Sequence, residues 1–375
     1  MKIGYDAKRA LNNNSGLGNY SRYIIHSANK LSKHSIYLFS PKANDRYYSD
    51  LNILSSVKMV SPKSKNKLVG AYWRSFGQVK EIDKLELDVF HGLSNELPLS
   101  IKKSKVAKVV TIHDLIFLRF PKLYKPLDRK IYNKKFRQAC EDADKIIAIS
   151  EQTKQDILSF YKVNETKIEV VYQDCDEQFH EQPTEDVLSK VKEKHSLPSQ
   201  FLLSVGTIEQ RKNQLLILKA LKEIKDIPLV LVGRETPYQD ELQFFIESHH
   251  LQDRVKFIND VEFCDLPAIY SLAEVFVYPS IFEGFGIPII EAQNLSTPVV
   301  TSTGSCFSET GGNAALYSNP QKPSRLAENI NKVLNNATLK SDLIKEGLKN
   351  AQRFRSEYTF PQLEAIYKEL VSNGK

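Results

Sequence analysis

Residues 275–292, VFVYPSIFEGFGIPIIEA, hold the three parts of an α/β unit in order. Val275 to Ser280 is a β-branched and aromatic run that reads as a strand, and Gly284 and Gly286 mark a loop. Pro288 suits the first turn of a helix, which puts Glu291 about one turn inside it. A strand that passes through such a loop into a helix is the repeating unit of a parallel sheet covered by helices.

The same unit recurs outward in both directions. Phe201–Thr207, Pro228–Gly233, Val255–Asn259, Pro298–Ser302 and Ala315–Ser318 read as further strands, separated by helical segments such as Gln214–Lys225 and Tyr238–Ser248. Upstream, Lys2–Asp6, Ser35–Ser40, Asp88–Gly92, Lys108–Asp114, Lys145–Ser150 and Ile168–Tyr172 form a second series. Helical spacing lies between them at Tyr20, Ile24, Ser27 and Leu31 and again over Leu127–Ala143. Between the two series, Gln173–Asp186 carries six acids and a proline without apolar periodicity, as a connection between domains does. The pattern predicts two doubly wound α/β domains in tandem, and the 375 residues suit two cores. No repeat of the length that signals a solenoid is visible.

An apolar fraction of 41% beside 26% charged residues excludes a disordered chain. No run approaches about 18 consecutive apolar residues, and the opening MKIGYDAKRA lacks an apolar signal core. The expectation is a cytoplasmic protein, peripheral at most on the inner face of a membrane. Cys140, Cys175, Cys264 and Cys306 stand far apart, which signals neither a disulfide framework nor a zinc knuckle and reads as four small core residues. The net charge of +7 conceals an asymmetry: residues 1–150 hold 28 Lys and Arg against 13 Asp and Glu, and residues 151–375 hold 24 against 32. A basic first half is compatible with nucleic acid, an anionic membrane leaflet or a phosphate-bearing substrate. A plain solvated surface accounts equally for runs such as Lys102, Lys103, Lys105 and Lys108.

In open α/β sheets, ligands bind beyond the carboxyl ends of the strands, so residues just after strands carry the chemistry. After the first strand, Asn12-Asn13-Asn14-Ser15 leads into Gly16-Leu17-Gly18-Asn19-Tyr20. Two glycines let a backbone approach a ligand, and the next helix offers N–H groups to an anion; a flexible turn is the plain alternative. Ser21 stands where the third glycine of a dinucleotide motif belongs, with Arg22 and Tyr23 following. Thr111-Ile112-His113-Asp114 ends a strand on a histidine that suits a sugar or phosphate oxygen, or a structural hydrogen bond. In Ser204-Val205-Gly206-Thr207-Ile208-Glu209-Gln210-Arg211-Lys212-Asn213, two cations fall where the next helix begins. Cations there oppose the helix dipole, which favours a diphosphate as the reason for them over the plain alternative of an exposed basic pair. Glu283 and Glu291 can face one ligand and accept hydrogen bonds from vicinal hydroxyls, while the Gly-Phe-Gly amides meet phosphate oxygens. Glu291 also has a simpler use, complementing its helix N-terminus.

These residues resemble a known family. Glu283 and Glu291 with the intervening G-F-G-x-P are similar to the E-x7-E signature of retaining glycosyltransferases of the GT-B fold, specifically the large family 4. The likeness extends to I3-G-Y-D-A-K-R, the Gly16/Gly18 loop, T-I-H-D ending at Asp114, S150-E-Q-T-K, G206-T-I-E-Q-R-K-N and T297-P-V-V. The resemblance implies two Rossmann-like domains facing across a cleft: residues 1–180 binding acceptor, 181–355 binding the nucleotide sugar, and 356–375 a helix crossing back to the first domain. It implies that Arg211 and Lys212 hold the donor diphosphate and neutralise the leaving nucleotide, and that Glu291 binds the ribose. Glu283, with the amides of Phe285, Gly286 and Ile287, would hold the transferred sugar, and His113 would touch it from the first domain. Gly16 and Gly18 would close over the diphosphate, with Gly206 and Thr207 also in the donor site. Members with the G-T-x-E-x-R-K-N segment often use GDP-mannose, which is favoured over a UDP-sugar; the acceptor would be a saccharide or lipid-linked saccharide in bacterial-type polysaccharide synthesis. Ser296 in place of a usual glycine, Ser308 for a common proline and Ser356 for a frequent tryptophan depart from the pattern around the nucleotide pocket and the last helix.

The chemistry implied is substitution at an anomeric carbon through an oxocarbenium-like transition state, with cations and amides at the departing diphosphate. Arg211 and Lys212 would do what a divalent metal does elsewhere, and no aspartate-x-aspartate clamp is present, so neither metal nor cofactor is expected. No carboxylate stands out as a covalent nucleophile, which leaves attack on the face of departure, a donor phosphate oxygen taking the acceptor's proton. A nucleotide-sugar epimerase of the same fold is one alternative. A nucleic-acid binder is another, since Tyr124, Tyr132 and Phe136 interleave with Lys122, Lys125, Arg129, Lys130, Lys134 and Lys135. An amphipathic helix with a basic face, resting on anionic lipid, explains that interleaving as well, so no nucleic acid is expected.

Overall fold

The short β-branched runs pair in parallel throughout, and the computed structural model describes residues 1–13, 16–42, 57–64 and 66–374. These fall into two units, Met1–Asp174 with Arg355–Lys375, and Cys175–Phe354. The first unit has a seven-stranded sheet: β1 (Lys2–Asp6), β2 (Ser35–Phe39), β3 (Val57–Val60), β4 (Val89–Gly92), β5 (Ala107–Ile112), β6 (Lys145–Ala148) and β7 (Ile168–Val170), in the order β3-β2-β1-β4-β5-β6-β7. The second has six strands: β8 (Leu202–Val205), β9 (Leu229–Val232), β10 (Val255–Ile258), β11 (Val275–Tyr278), β12 (Val299–Ser302) and β13 (Ala315–Ser318), in the order β10-β9-β8-β11-β12-β13. Each sheet is doubly wound, as the alternation of strands and helices predicts.

Central strands are buried on both faces, which is why they read as continuous apolar runs. Phe39, Phe90, Val110 and Ile146 pack with Phe136, Cys140 and Ile157 in the first core; Leu202, Leu231 and Val277 pack with Leu216, Leu242 and Ile330 in the second. β3 is missing from the predicted strands. It is a four-residue edge strand, half-buried at best, so its sequence VKMV carries little burial signal.

β5, β6, β8 and β11 each stop two residues short of their predicted ends, for local reasons. At Ser150 the chain turns to cap the helix Glu151–Tyr161, Oγ accepting from the Thr153 N–H at 3.0 Å. After β11, Pro279 has no N–H to continue a ladder. The residues freed in this way, His113, Gly206, Thr207 and Ser280 among them, lie on loops at the carboxyl ends.

Some expectations need correcting. The cut predicted at residue 180 falls inside the second unit, because Phe179 in the polar connector is fully buried with ring centroids 5.8 Å from Phe263 and 5.9 Å from Tyr270. Cys264 is exposed, whereas the other three cysteines are buried. Gly16 and Gly18 do not precede a helix but open one, Gly16–Leu31, while Asn14 and Ser15 lie outside the described residues. The last helix, Ser356–Asn373, belongs to the first unit, where the Tyr367 hydroxyl lies 2.5 Å from Nδ1 of the buried His91.

Candidate active site

In the second unit β8 and β11 are neighbours, yet the strands that follow them run to opposite edges of the sheet. Loops leaving two such strands diverge and open a crevice at their carboxyl ends. Gly206, Thr207, Arg211 and Lys212 follow β8, and Glu283 follows β11, so the order of the sheet alone puts these side chains on the two loops of one crevice.

Local backbone geometry then fixes them. Gly206 has φ 142°, a value that strains any other residue, and the Lys212 side chain passes 3.4 Å from where its Cβ would stand. Arg211 and Lys212 do not start the next helix. They form a 3-10 turn, Gln210–Lys212, and Asn213 at φ 60° separates that turn from the helix Gln214–Ala220. The helix dipole therefore opposes them less than the sequence suggests. The Asn213 amide donates to the carbonyls of Pro279 at 3.0 Å and Pro320 at 2.9 Å, and Ile281 N–H donates to the Arg211 carbonyl at 2.9 Å, so the two loops are stitched together.

The cations meet at one carboxylate. Arg211 Nη1 lies 2.5 Å from Glu283 Oε2, and Lys212 Nζ lies 2.7 Å from Glu283 Oε1. Nη1 also donates to the Phe282 carbonyl at 2.8 Å, and Nη2 to Glu209 at 2.6 Å. Burial alone would raise the Glu283 carboxyl, but the Lys212 and Arg211 charges override it and hold the group down at about 2. Lys212 Nζ additionally donates to the Tyr278 hydroxyl at 2.7 Å and sits 4.9 Å from that ring's centre. Among the described residues its third proton has no partner.

Gly286, at φ 94°, leads into the helix Ile287–Asn294, with Pro288 in its first turn. Pro288 has no N–H and that of Ile289 donates to the Gly286 carbonyl at 2.9 Å, which leaves the Ile287 N–H, at the first position of the helix, suited to an anion. One turn on, Glu291 Oε2 accepts from the Tyr270 hydroxyl at 2.8 Å. Burial pushes its carboxyl up to about 7, the Tyr270 hydrogen bond opposing. The two glutamates thus sit in opposite electrostatic settings eight positions apart in sequence.

His113, Gly16 and Gly18 belong to the first unit. His113 Nε2 lies 2.9 Å from the Leu93 carbonyl, which can only accept, so Nε2 carries the proton. Burial lowers the imidazole to about 4, the Leu93 bond opposing, and leaves it neutral at pH 7 with Nδ1 an acceptor. The ring stands edge-on to Tyr20 at 4.6 Å. A Cβ on Gly18 would come within 2.0 Å of the Asn13 carbonyl oxygen, so this glycine serves close backbone packing, whereas a Cβ on Gly16 would meet nothing within 4 Å.

Sequence reasoning passed over Tyr278 and Ser305. Tyr278 lies within residues 275–292 and Ser305 three residues before Ser308, but a tyrosine at a strand end and a serine in a turn are too common to stand out. As for metal ligands, Glu262, Cys264 and Asp265 bring ligand atoms within 4.8 Å of one another on an outer turn. Asp265 is already bound to Lys194 and His195, each at 2.8 Å.

Both halves of the chain match models of one class of enzyme, the glycosyltransferases. Residues 15–177 match Glycosyltransferase Family 4 and residues 188–350 match Glycosyl transferases group 1, so the chain belongs to this family. O-antigen chain mannosyltransferase B of Escherichia coli is 28% identical over 289 residues, 75% of this chain and 74% of that protein. O-antigen chain mannosyltransferase RfbU of Salmonella typhimurium is 32% identical over 214 residues, 57% of each chain. The solved structure of Anabaena Alr3699/HepE in complex with UDP and glucose matches with a TM-score of 0.75 at 18% identity, covering 98% of this chain and 100% of that one. The fold is GT-B.

Proposed function

We propose that this glycosyltransferase moves mannose from GDP-mannose, with retention of anomeric configuration and without a metal, to a glycan or lipid-linked glycan in bacterial polysaccharide synthesis. The observation that carries the reading is the Glu283 carboxylate held between Arg211 and Lys212. When the nucleoside diphosphate departs, negative charge grows on its oxygens. Two fixed cations and the amides of Gly286 and Ile287 stabilise that charge without reorganising. Glu283, kept ionised, accepts hydrogen bonds from the sugar hydroxyls, and Glu291 accepts from the ribose.

Retention is taken from the family likeness, and the same electrostatics speak for a route without a covalent intermediate. A carboxylate held down at about 2 by two cations is a poor nucleophile and a poor base. The acceptor's proton therefore goes to a donor phosphate oxygen on the departing side. His113, neutral and with Nδ1 able to accept, is assigned a sugar hydroxyl. The mannosyl reading draws support from the two O-antigen mannosyltransferases, and a lipid-linked acceptor from the basic helix Pro126–Asp142, which exposes Leu127 and Ile131.

Thermal-shift titrations with GDP, UDP, ADP and dTDP test the donor, because a ligand stabilises in proportion to the logarithm of its saturation. GDP should give the largest shift, with EDTA leaving it unchanged. A larger shift with UDP removes GDP-mannose, and detection of a glycosyl-enzyme adduct by mass spectrometry removes the same-face mechanism.

A further inference from the structure

Ser305 lies in the left-handed backbone region at φ 49°, directly after Gly304 at φ 83°, on the turn between β12 and the helix Phe307–Gly311. A serine held there carries conformational strain that a glycine would not. Its hydroxyl accounts for the choice: Oγ accepts from the Glu283 N–H at 3.1 Å and donates to the Glu283 carbonyl at 2.9 Å. One side chain from a separate turn thus fastens both main-chain groups of a single residue. Next to it, Cys306 Sγ donates to the Phe285 carbonyl at 3.0 Å, and Thr310 Oγ1 donates to the same oxygen at 2.5 Å. The stretch from Glu283 to Phe285 is braced by the turn that follows β12.

We propose that Ser305 is a positioning residue: its hydroxyl fixes the Glu283 backbone and so sets how far the Glu283 carboxylate reaches toward the transferred sugar. This rests on the reading of Glu283 as a sugar contact. The carboxylate is three bonds from Cα, and a displacement of about 1 Å at its end takes a hydrogen bond out of range. Besides their bonds to Glu283, Arg211 and Lys212 have anchors of their own, Arg211 at Glu209 and Lys212 at the Tyr278 hydroxyl. Loss of the brace should therefore weaken the hold on the sugar while leaving the grip on the diphosphate.

The test measures dissociation constants of GDP-mannose and of GDP by calorimetry for the wild type, Ser305→Gly, Ser305→Ala and Glu283→Asp, with unfolding midpoints for each. Ser305→Gly relieves the backbone while removing the hydroxyl, so the fold should be at least as stable as in Ser305→Ala. In both serine variants the ratio of the GDP-mannose constant to the GDP constant should rise about tenfold over wild type, with GDP itself within about twofold. An unchanged ratio in both, with a raised ratio in Glu283→Asp, overturns the role of Ser305 and leaves the sugar contact standing. An unchanged ratio in all three variants removes the sugar contact itself, and the brace with it. A change confined to Ser305→Ala, following its lower midpoint, assigns the effect to strain and also overturns the proposal.

Discussion

Lys212 Nζ stands 2.7 Å from Glu283 Oε1, and each residue satisfies the other in a pocket where neither is more than slightly exposed. The pair is poised rather than closed, since among the described residues Lys212 has a proton to spare. Replacing Lys212 by Ala should lower kcat by about 100-fold or more, the loss found when a preorganised donor to a developing oxyanion is removed. GDP affinity should fall by about tenfold, the value of one charged hydrogen bond. Steady-state kinetics with GDP-mannose beside GDP calorimetry checks both. Equal kcat in the variant would place Lys212 outside the reaction.

Tyr278→Phe isolates the hydroxyl that receives the second Lys212 proton. The ring and its contact with the ammonium remain, as does the ion pair with Glu283. The expected result is GDP affinity within about threefold of wild type and kcat reduced about tenfold, since the ammonium keeps its charge but loses one of its two anchors. A fall in GDP affinity as large as that in Lys212→Ala would mean that the hydroxyl maintains the fold of the loop instead.

The strand runs and the cations at their ends were legible because both are short-range signals: β-branched residues for buried strands, and charged residues just past them. What was not legible depends on partners distant in sequence. Nothing local says that Arg211 and Lys212 share the carboxylate of Glu283, or that Glu291 faces Tyr270. Nor does the sequence show that Ser296, in the place of a usual family glycine, adopts φ 60° and that Ser305 adopts φ 49°. A serine normally avoids that backbone region, so sequence rules assign these turns no such geometry. The helix after Lys212 starts later than the sequence suggests for the same reason, because Asn213, bonded to the Pro279 and Pro320 carbonyls, takes φ 60°.

Glu291 makes the stability of the second unit depend on pH in an unusual direction. Its folded carboxyl titrates near about 7, above the ordinary 4.5, so the folded state holds this proton more tightly than the unfolded chain. Below pH 4.5 both states are protonated and there is no penalty; between 4.5 and 7 the unfolded state sheds its proton first and stability is lost as pH rises. Glu291→Gln keeps an oxygen for Tyr270 and removes the titration. The variant should match wild type at pH 4.5 and exceed it at pH 8 by roughly 1–3 kcal/mol. Denaturant unfolding at the two pH values checks this, and a variant less stable at pH 8 would show that the ionised carboxylate is stabilised by its surroundings.

No helix of the described residues is long and apolar enough to cross a membrane. The helix Pro126–Asp142 has a different character: Phe136, Ala139 and Cys140 face the core, while Leu127 is 68% and Ile131 43% exposed on the outer side. Lys130 and Lys134 share that stripe by helical spacing, with Lys122 and Lys125 just before it. Exposed apolar side chains ringed by lysines match an interface with acidic headgroups above an apolar layer. Each lysine near such a surface contributes about 1 kcal/mol, so replacing Lys125, Lys130 and Lys134 by Ala should weaken sedimentation with phosphatidylglycerol vesicles by about 100-fold. Leu127→Asp should weaken it while leaving binding to an oligonucleotide unaffected. If the lysine variants instead lose oligonucleotide binding and wild type ignores the vesicles, the basic stripe meets nucleic acid, and the case for a lipid-linked acceptor loses its surface.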